Sequence, residues 1–174
     1  MRVKVTRTEL FPHDELSEKA QRAAIEGLYA VNVDDHDWWD GTYEDAKSIG
    51  CDIGGFDINR GGDISFMCDD HEATAHAITK DHGDSCDTHK LAAEFLGERD
   101  SIIGSADKDE DGEFVDEYQL DARLDEAGEE FARALGEEYL SILRRDYEYL
   151  TGEEAILETI KANEYEFTVD GKLA

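Results

Sequence analysis

Basic residues are scarce in this chain of 174 residues. Only 17 Lys and Arg oppose 45 Asp and Glu, so the formal net charge is -28. Nucleic acids and anionic membranes both recruit Lys and Arg side chains. The chain is therefore predicted to bind neither of them directly, and its expected partner is a protein with a basic surface.

Long apolar runs and a full set of cysteines are also missing. Residues 1–6 are polar and alternating, unlike the apolar core of a signal peptide. No stretch approaches the roughly 18 apolar residues of a membrane span. Three cysteines, Cys51, Cys68 and Cys86, are too few and of the wrong parity for a secreted disulfide framework. These absences predict a cytoplasmic protein with no membrane association.

Hydrophobic residues make up 40% of the chain, which is enough to build a core. Alternation predicts a strand at 2–10 that Pro12 ends, a central hairpin that turns at 59–62, and a closing strand at 165–169. Helical spacing predicts about six helices, the longest at 117–149. The expected fold is α+β, with one domain over 1–174 in which a small antiparallel sheet of about four strands packs with those helices.

Residues 107–112, DKDEDG, match the first half of a calcium-binding EF-hand loop. The twelfth position of such a loop should supply a bidentate Glu, but Tyr118 stands there. The alternative interpretation is an acidic, solvated connector. No calcium is expected.

Two Cys-x-x-His pairs, Cys68 with His71 and Cys86 with His89, have a spacing that zinc sites use. The alternative is that Cys68 is a small buried hydrophobe at a strand end and that Cys86 opens a helix with exposed histidines. Zinc is kept as a minor alternative, and no cofactor is expected.

Sequence signatures of catalysis are missing. The chain contains no Gly-x-Ser-x-Gly, no His-Glu-x-x-His and no phosphate-binding Gly-x-x-x-x-Gly-Lys motif. Gly54-Gly55 and Gly61-Gly62 are better explained by a strand bulge and a hairpin turn. The protein is therefore expected not to be an enzyme.

Acidic residues concentrate between 107 and 130, where 12 of them face only Lys108 and Arg123. On the long helix four carboxylates recur every four residues, about 6 Å apart along the axis. In sign and rough density they resemble one strand of a nucleic acid, whose phosphates recur every ~3.4 Å. The alternative is an ordinary solvated face. The candidate partner-binding residues are Asp107, Asp109, Asp111, Glu117, Asp121, Asp125 and Glu129.

A tryptophan pair lies in the first turn of the second predicted helix, at 37–48. Trp39 shares a face with Tyr43 and Ala46 and is predicted to lie in the core. Trp38 falls on another face, so it is predicted to be a half-exposed ring. It is the eighth candidate for partner binding, as an aromatic anchor. The alternative is a rim residue that covers the sheet.

Several stretches of the sequence, YEDA at 43–46, HGDSCDTHK at 82–90, YEYLT at 147–151 and NEYEF at 163–167, resemble a family of small acidic proteins encoded by bacteriophages and prophages. The resemblance extends over most of the chain and carries no established activity. Members often have Tyr at the position of His89, which argues against zinc. The resemblance implies a phage accessory gene, and such genes commonly counter host defence.

Charge and resemblance together favour an anti-defence inhibitor in the host cytoplasm. It would act as an acidic DNA mimic on the basic nucleic-acid groove of a restriction or CRISPR-type complex. One alternative is an antitoxin-like or other non-catalytic inhibitor of a basic protein. A Cys/His zinc-binding protein and a chain adapted to high salt are further alternatives.

Overall fold

The computed structural model describes residues 7–34 and 37–174. Within them the α+β class is confirmed, with six α-helices and four short strands. The strands form two separate antiparallel pairs rather than the single sheet that was expected. In chain order the elements are β1 (Phe11–Pro12), α1 (Glu18–Gly27), α2 (Asp40–Ser48), β2 (Cys51–Phe56), β3 (Ile64–Cys68), α3 (His71–Asp81), α4 (Asp87–Ser105), α5 (Glu117–Leu150), α6 (Glu153–Ala162) and β4 (Glu166–Phe167).

Contacts divide the chain into two compact units. The terminal unit comprises the described residues of Met1–Trp38 together with Arg145–Ala174. The central unit is Trp39–Arg144. Each unit has its own hydrophobic core.

The terminal unit is built on α1, α6 and the β1–β4 pair. The N-cap of α1 is Ser17, whose side chain accepts a hydrogen bond from the Ala20 amide. Of the predicted strand at 2–10, residues 2–6 lie outside the described part, and residues 7–10 have no regular structure. Pro12 is the last residue of the two-residue strand β1, so it does end a strand, and an edge strand tolerates a proline there. The core of this unit consists of Leu16, Ala20, Ala24, Ile156, Ile160 and Phe167.

The central hairpin is confirmed, but its strands lie farther from the turn than the predicted alternation suggested. β2 pairs with β3 from Cys51 opposite Cys68 to Phe56 opposite Ile64. The register shifts between Ile53 and Gly55, so the predicted bulge at the first glycine pair is also confirmed. Gly61, in the turn, has a φ of 84°, a conformation that side chains other than glycine rarely adopt.

The long helix α5 is unbroken over 34 residues in spite of its two glycines. A Cβ at Gly136 would lie 3.0 Å from the Phe66 Cβ of β3, and a Cβ at Gly128 would collide with the His71 ring of α3. Gly128 and Gly136 allow α5 to pack closely on its neighbours, and neither glycine marks an end of the helix. Even so, none of the described helices is both long and apolar enough to cross a membrane.

The apolar side of α5 supplies five of the fourteen buried residues in the core of the central unit, namely Leu120, Ala127, Phe131, Leu135 and Tyr139. Phe131, Leu135 and Tyr139 are buried, and the Phe131 ring stacks on Phe95 of α4 with 4.6 Å between the ring centroids. α3 begins after Asp70, whose carboxylate accepts a hydrogen bond from the Ala73 amide. Within the central unit, α3, α4 and α5 therefore contribute side chains to one core.

Candidate functional site

All seven acidic residues proposed for partner binding lie in the central unit, and all seven are exposed. Four of them stand on α5. Successive members of this row turn by about 40° around the helix, because four residues exceed one turn of 3.6. From Glu117 to Glu129 the carboxylates advance about 18 Å along the axis and wind through about 120°. The row is therefore a shallow spiral on the surface, held by an ordered helix.

The segment that precedes α5 is a tight turn. Lys108 pairs with Phe114 in an isolated bridge, and the Lys108 ammonium lies 4.6 Å from the centre of the Phe114 ring. One carboxylate oxygen of Asp109 accepts hydrogen bonds from the amides of Asp111 and Glu113, at 2.9 and 3.0 Å. Asp109 thus holds the turn together, while Asp111 leaves its carboxylate exposed to solvent.

Trp38 is placed differently from the prediction. α2 begins at Asp40, so Trp38 lies before the helix and belongs to the terminal unit. Its ring is half-buried and packs against Tyr147, with 5.7 Å between the ring centroids. Trp39 packs edge-on against Phe56 in the central unit but is only half-buried, so it is not one of the buried core residues, contrary to the prediction.

The four residues of the zinc alternative do not form a site. Cys68 forms a disulfide with Cys51 across the hairpin, which corrects the expectation that it is a free buried thiol. His71 opens α3, whereas Cys86 is an exposed free thiol just before α4, with His89 in the first turn of that helix. Within residues 7–34 and 37–174 no group of three or more His, Cys, Asp or Glu side chains is placed to hold a metal ion.

A polar network that the sequence did not reveal joins four parts of the central unit. The Tyr139 hydroxyl of α5 donates a hydrogen bond to Asp45 Oδ2 of α2 at 2.6 Å. His82 Nε2, just after α3, lies 3.6 Å from the other Asp45 oxygen, and His82 Nδ1 lies 2.8 Å from the Thr88 hydroxyl of α4. Because 3.6 Å exceeds hydrogen-bond distance, Nε2 has no hydrogen-bond partner among the described residues.

This network contains the residue types of a hydroxyl–imidazole–carboxylate catalytic triad. The hydroxyl that would act as the nucleophile belongs to Thr88, which is only 5% exposed. A substrate must reach a nucleophile to react with it, and the Thr88 hydroxyl is enclosed by the protein. The geometry suits a structural bridge between helices better than a reaction centre.

The network predicts an alkaline limit to stability. Burial, then the hydrogen bond and charge of Asp45, raises the pKa of Tyr139 well above its ordinary value of 10.0. A raised pKa contributes stability that is complete below pH 10 and is lost as the pH rises through the folded-state value. In an absorbance titration, one of the seven tyrosines should ionise only as the protein unfolds.

The variant Tyr139→Phe should lose that late phase and about 1 kcal/mol of stability, because Asp45 loses a donor. The control Tyr118→Phe removes a ring that is 86% exposed, so it should leave the late phase and the stability unchanged. A late phase that survives Tyr139→Phe would contradict the assignment.

Charge distinguishes the central unit from the rest of the molecule. It carries 29 Asp and Glu against 9 Lys and Arg, which is most of the net charge of the chain. The candidate site is therefore an anionic surface that includes α5 and the turn at 107–116, which alone has six acidic residues. Comparison with known proteins found no matching family model, no matching curated protein and no matching solved structure.

Proposed function

We propose that this protein is a non-catalytic inhibitor that occupies the basic nucleic-acid groove of a host defence protein. The observation that carries the proposal is the spiral of four exposed carboxylates on α5, set in a unit with 29 acidic and 9 basic residues. Such a surface attracts a cationic groove over long range and speeds association with it.

The ordered backbone beneath the carboxylates is the second support for the proposal. The carboxylates stand on a continuous helix rather than on a flexible acidic tail, so little conformational entropy is lost when they meet a partner. The wall of a nucleic-acid groove contacts phosphates that wind around an axis, and the α5 row also winds around an axis. This shared geometry favours mimicry of nucleic acid over attraction by charge alone.

The anti-defence role, in the cytoplasm of a phage-infected cell, rests on the resemblance to phage-encoded acidic proteins. Restriction and CRISPR-type complexes have the kind of basic groove that this surface fits. No step of the proposal needs a cofactor or a catalytic residue.

A second candidate is an antitoxin-like inhibitor that covers a basic protein surface outside any nucleic-acid groove. The axial spacing of the carboxylates favours it, because about 6 Å differs from the ~3.4 Å between phosphates of one strand. The two candidates differ in one outcome: only a mimic excludes nucleic acid from its partner.

Competition with nucleic acid tests the proposal. The protein alone should not shift duplex DNA or RNA in a gel at physiological salt, since like charges repel. Added to a basic host protein that it captures from lysate, it should displace labelled duplex from that protein in proportion to its concentration. Salt-sensitive binding of bare duplex would contradict both candidates. If the captured protein keeps its duplex, mimicry is excluded and the antitoxin-like inhibitor becomes the better candidate.

A further inference from the structure

A groove of about 230 Å³ runs between α4 and α5 within the central unit. The two helices are antiparallel here: Phe95 stacks on Phe131, and Arg123 near the start of α5 reaches the Ser105 hydroxyl at the end of α4. The floor is apolar and consists of Leu91, Phe95, Ala127, Phe131 and Ala134.

Three carboxylates line this groove. Glu94 and Glu98 stand one turn apart on α4, and Glu130 stands opposite them on α5. All three are exposed, and none forms an ion pair with another described residue.

Two basic side chains beside the lining residues already have partners, one towards each end of the groove. Lys90 donates a hydrogen bond to Asp87 at 2.6 Å. This hydrogen bond and the negative charge of Asp87 raise the Lys90 pKa above the usual value. Arg123 is held near Ser105, with 3.5 Å from its guanidinium nitrogens to the hydroxyl oxygen. Between these ends the groove has an apolar floor, with negative charge on both sides.

We propose that this groove receives an arginine side chain of the basic partner. The methylene stem of arginine would lie on the apolar floor, and its planar guanidinium would reach carboxylates on both sides. A phosphate would be repelled, and a purely apolar side chain would leave the carboxylates unpaired. The inference rests on the proposed function, because it names the side chain through which the partner is held.

Arginine suits the groove better than lysine. Its five donors lie in one plane and can serve Glu94 and Glu130 at the same time. Its head group is also more weakly hydrated than an ammonium, so less hydration free energy is lost when it enters the groove. The partner segment should therefore carry at least one arginine that projects from its surface.

A short capped peptide with one arginine among alanines is the probe, titrated into the labelled protein at low salt and followed by NMR. The ring signals of Phe95 and Phe131 and the methyl signals of Ala127 and Ala134 should shift. The same peptide with lysine should bind severalfold more weakly. Equal binding of the two peptides would overturn the choice of arginine.

Two variants separate the groove from general negative charge. The triple change Glu94→Gln, Glu98→Gln and Glu130→Gln should weaken the arginine peptide about tenfold. The variant Ala134→Leu keeps every charge but fills the floor, so it should weaken the peptide by a similar factor.

The matched control removes three charges on the terminal unit, through Glu9→Gln, Glu26→Gln and Glu148→Gln, and should change binding less than twofold. If Ala134→Leu binds as the original does, or if both charge-removal variants weaken binding equally, the groove is not the site. That failure would leave the proposed function standing, since displacement of duplex DNA from the captured protein tests the function separately.

Discussion

Reversal of Glu117, Asp121, Asp125 and Glu129 to lysine should weaken partner binding about a thousandfold while the protein stays folded. Each reversal removes an attraction to a basic surface and adds a repulsion, and exposed pairs contribute roughly 0.5–1 kcal/mol each. The lost attraction and the added repulsion count separately at each of the four positions. At about 0.5 kcal/mol for each of these terms they add up to about 4 kcal/mol, or about three powers of ten in affinity. The effect should be largest at low salt, where charges are least screened.

The same charge change on the terminal unit is the matched control. Glu9, Glu15, Glu26 and Glu148 are also exposed, and their reversal to lysine alters the net charge equally. Binding kinetics at two salt concentrations should show a slower association for the α5 variant and a far smaller change for the control. Circular dichroism checks the fold. Equal losses would show that only total charge matters, and unchanged binding would remove α5 from the site.

Loss of the Cys51–Cys68 disulfide should produce the largest change in stability. The bridge closes a loop between cysteines 17 residues apart, and a closed loop of that length restricts the unfolded chain by about 3 kcal/mol. Replacement of both cysteines by alanine should lower the urea midpoint accordingly. A reductant should lower the midpoint of the original protein to a similar value.

Cys86 provides the control for this experiment, because it is an exposed free thiol outside the bridge. The variant Cys86→Ala should unfold as the original does under oxidising conditions and should remain sensitive to reductant. A urea midpoint that is the same with and without reductant in the original protein would mean that the bridge does not form in solution.

Local signals account for the parts of the fold that were predicted correctly. Helix starts at Ser17 and Asp70 are marked by side chains that cap amides within the next three residues, and the α5 stripe repeats at helical spacing. Such features are complete within a few residues of the chain. The hairpin was recognised for the same reason, because the turn and the alternation lie close together in sequence.

Contacts between distant residues could not be predicted in this way. Asp45 and Tyr139 are 94 positions apart, and nothing near either residue indicates the hydrogen bond between them. An odd count of cysteines argues against a disulfide framework, so the sequence does not indicate the Cys51–Cys68 bridge, which depends on the strand register. For the candidate site, the sequence predicted exposed carboxylates on α5 correctly, but the α4–α5 groove exists only when two separate helices meet.

The glycines of the long helices bear on attempts to make the protein more robust. Alanine in place of helical glycine normally raises stability by up to about 1 kcal/mol. At Gly97 and Gly104 in α4 an added methyl group would meet open space, so alanine should give that gain in stability there. At Gly128 and Gly136 the same substitution would force α5 away from a neighbouring side chain. Replacement of the glycines in both long helices would therefore stabilise α4 but disturb the packing of α5, which carries the carboxylate row.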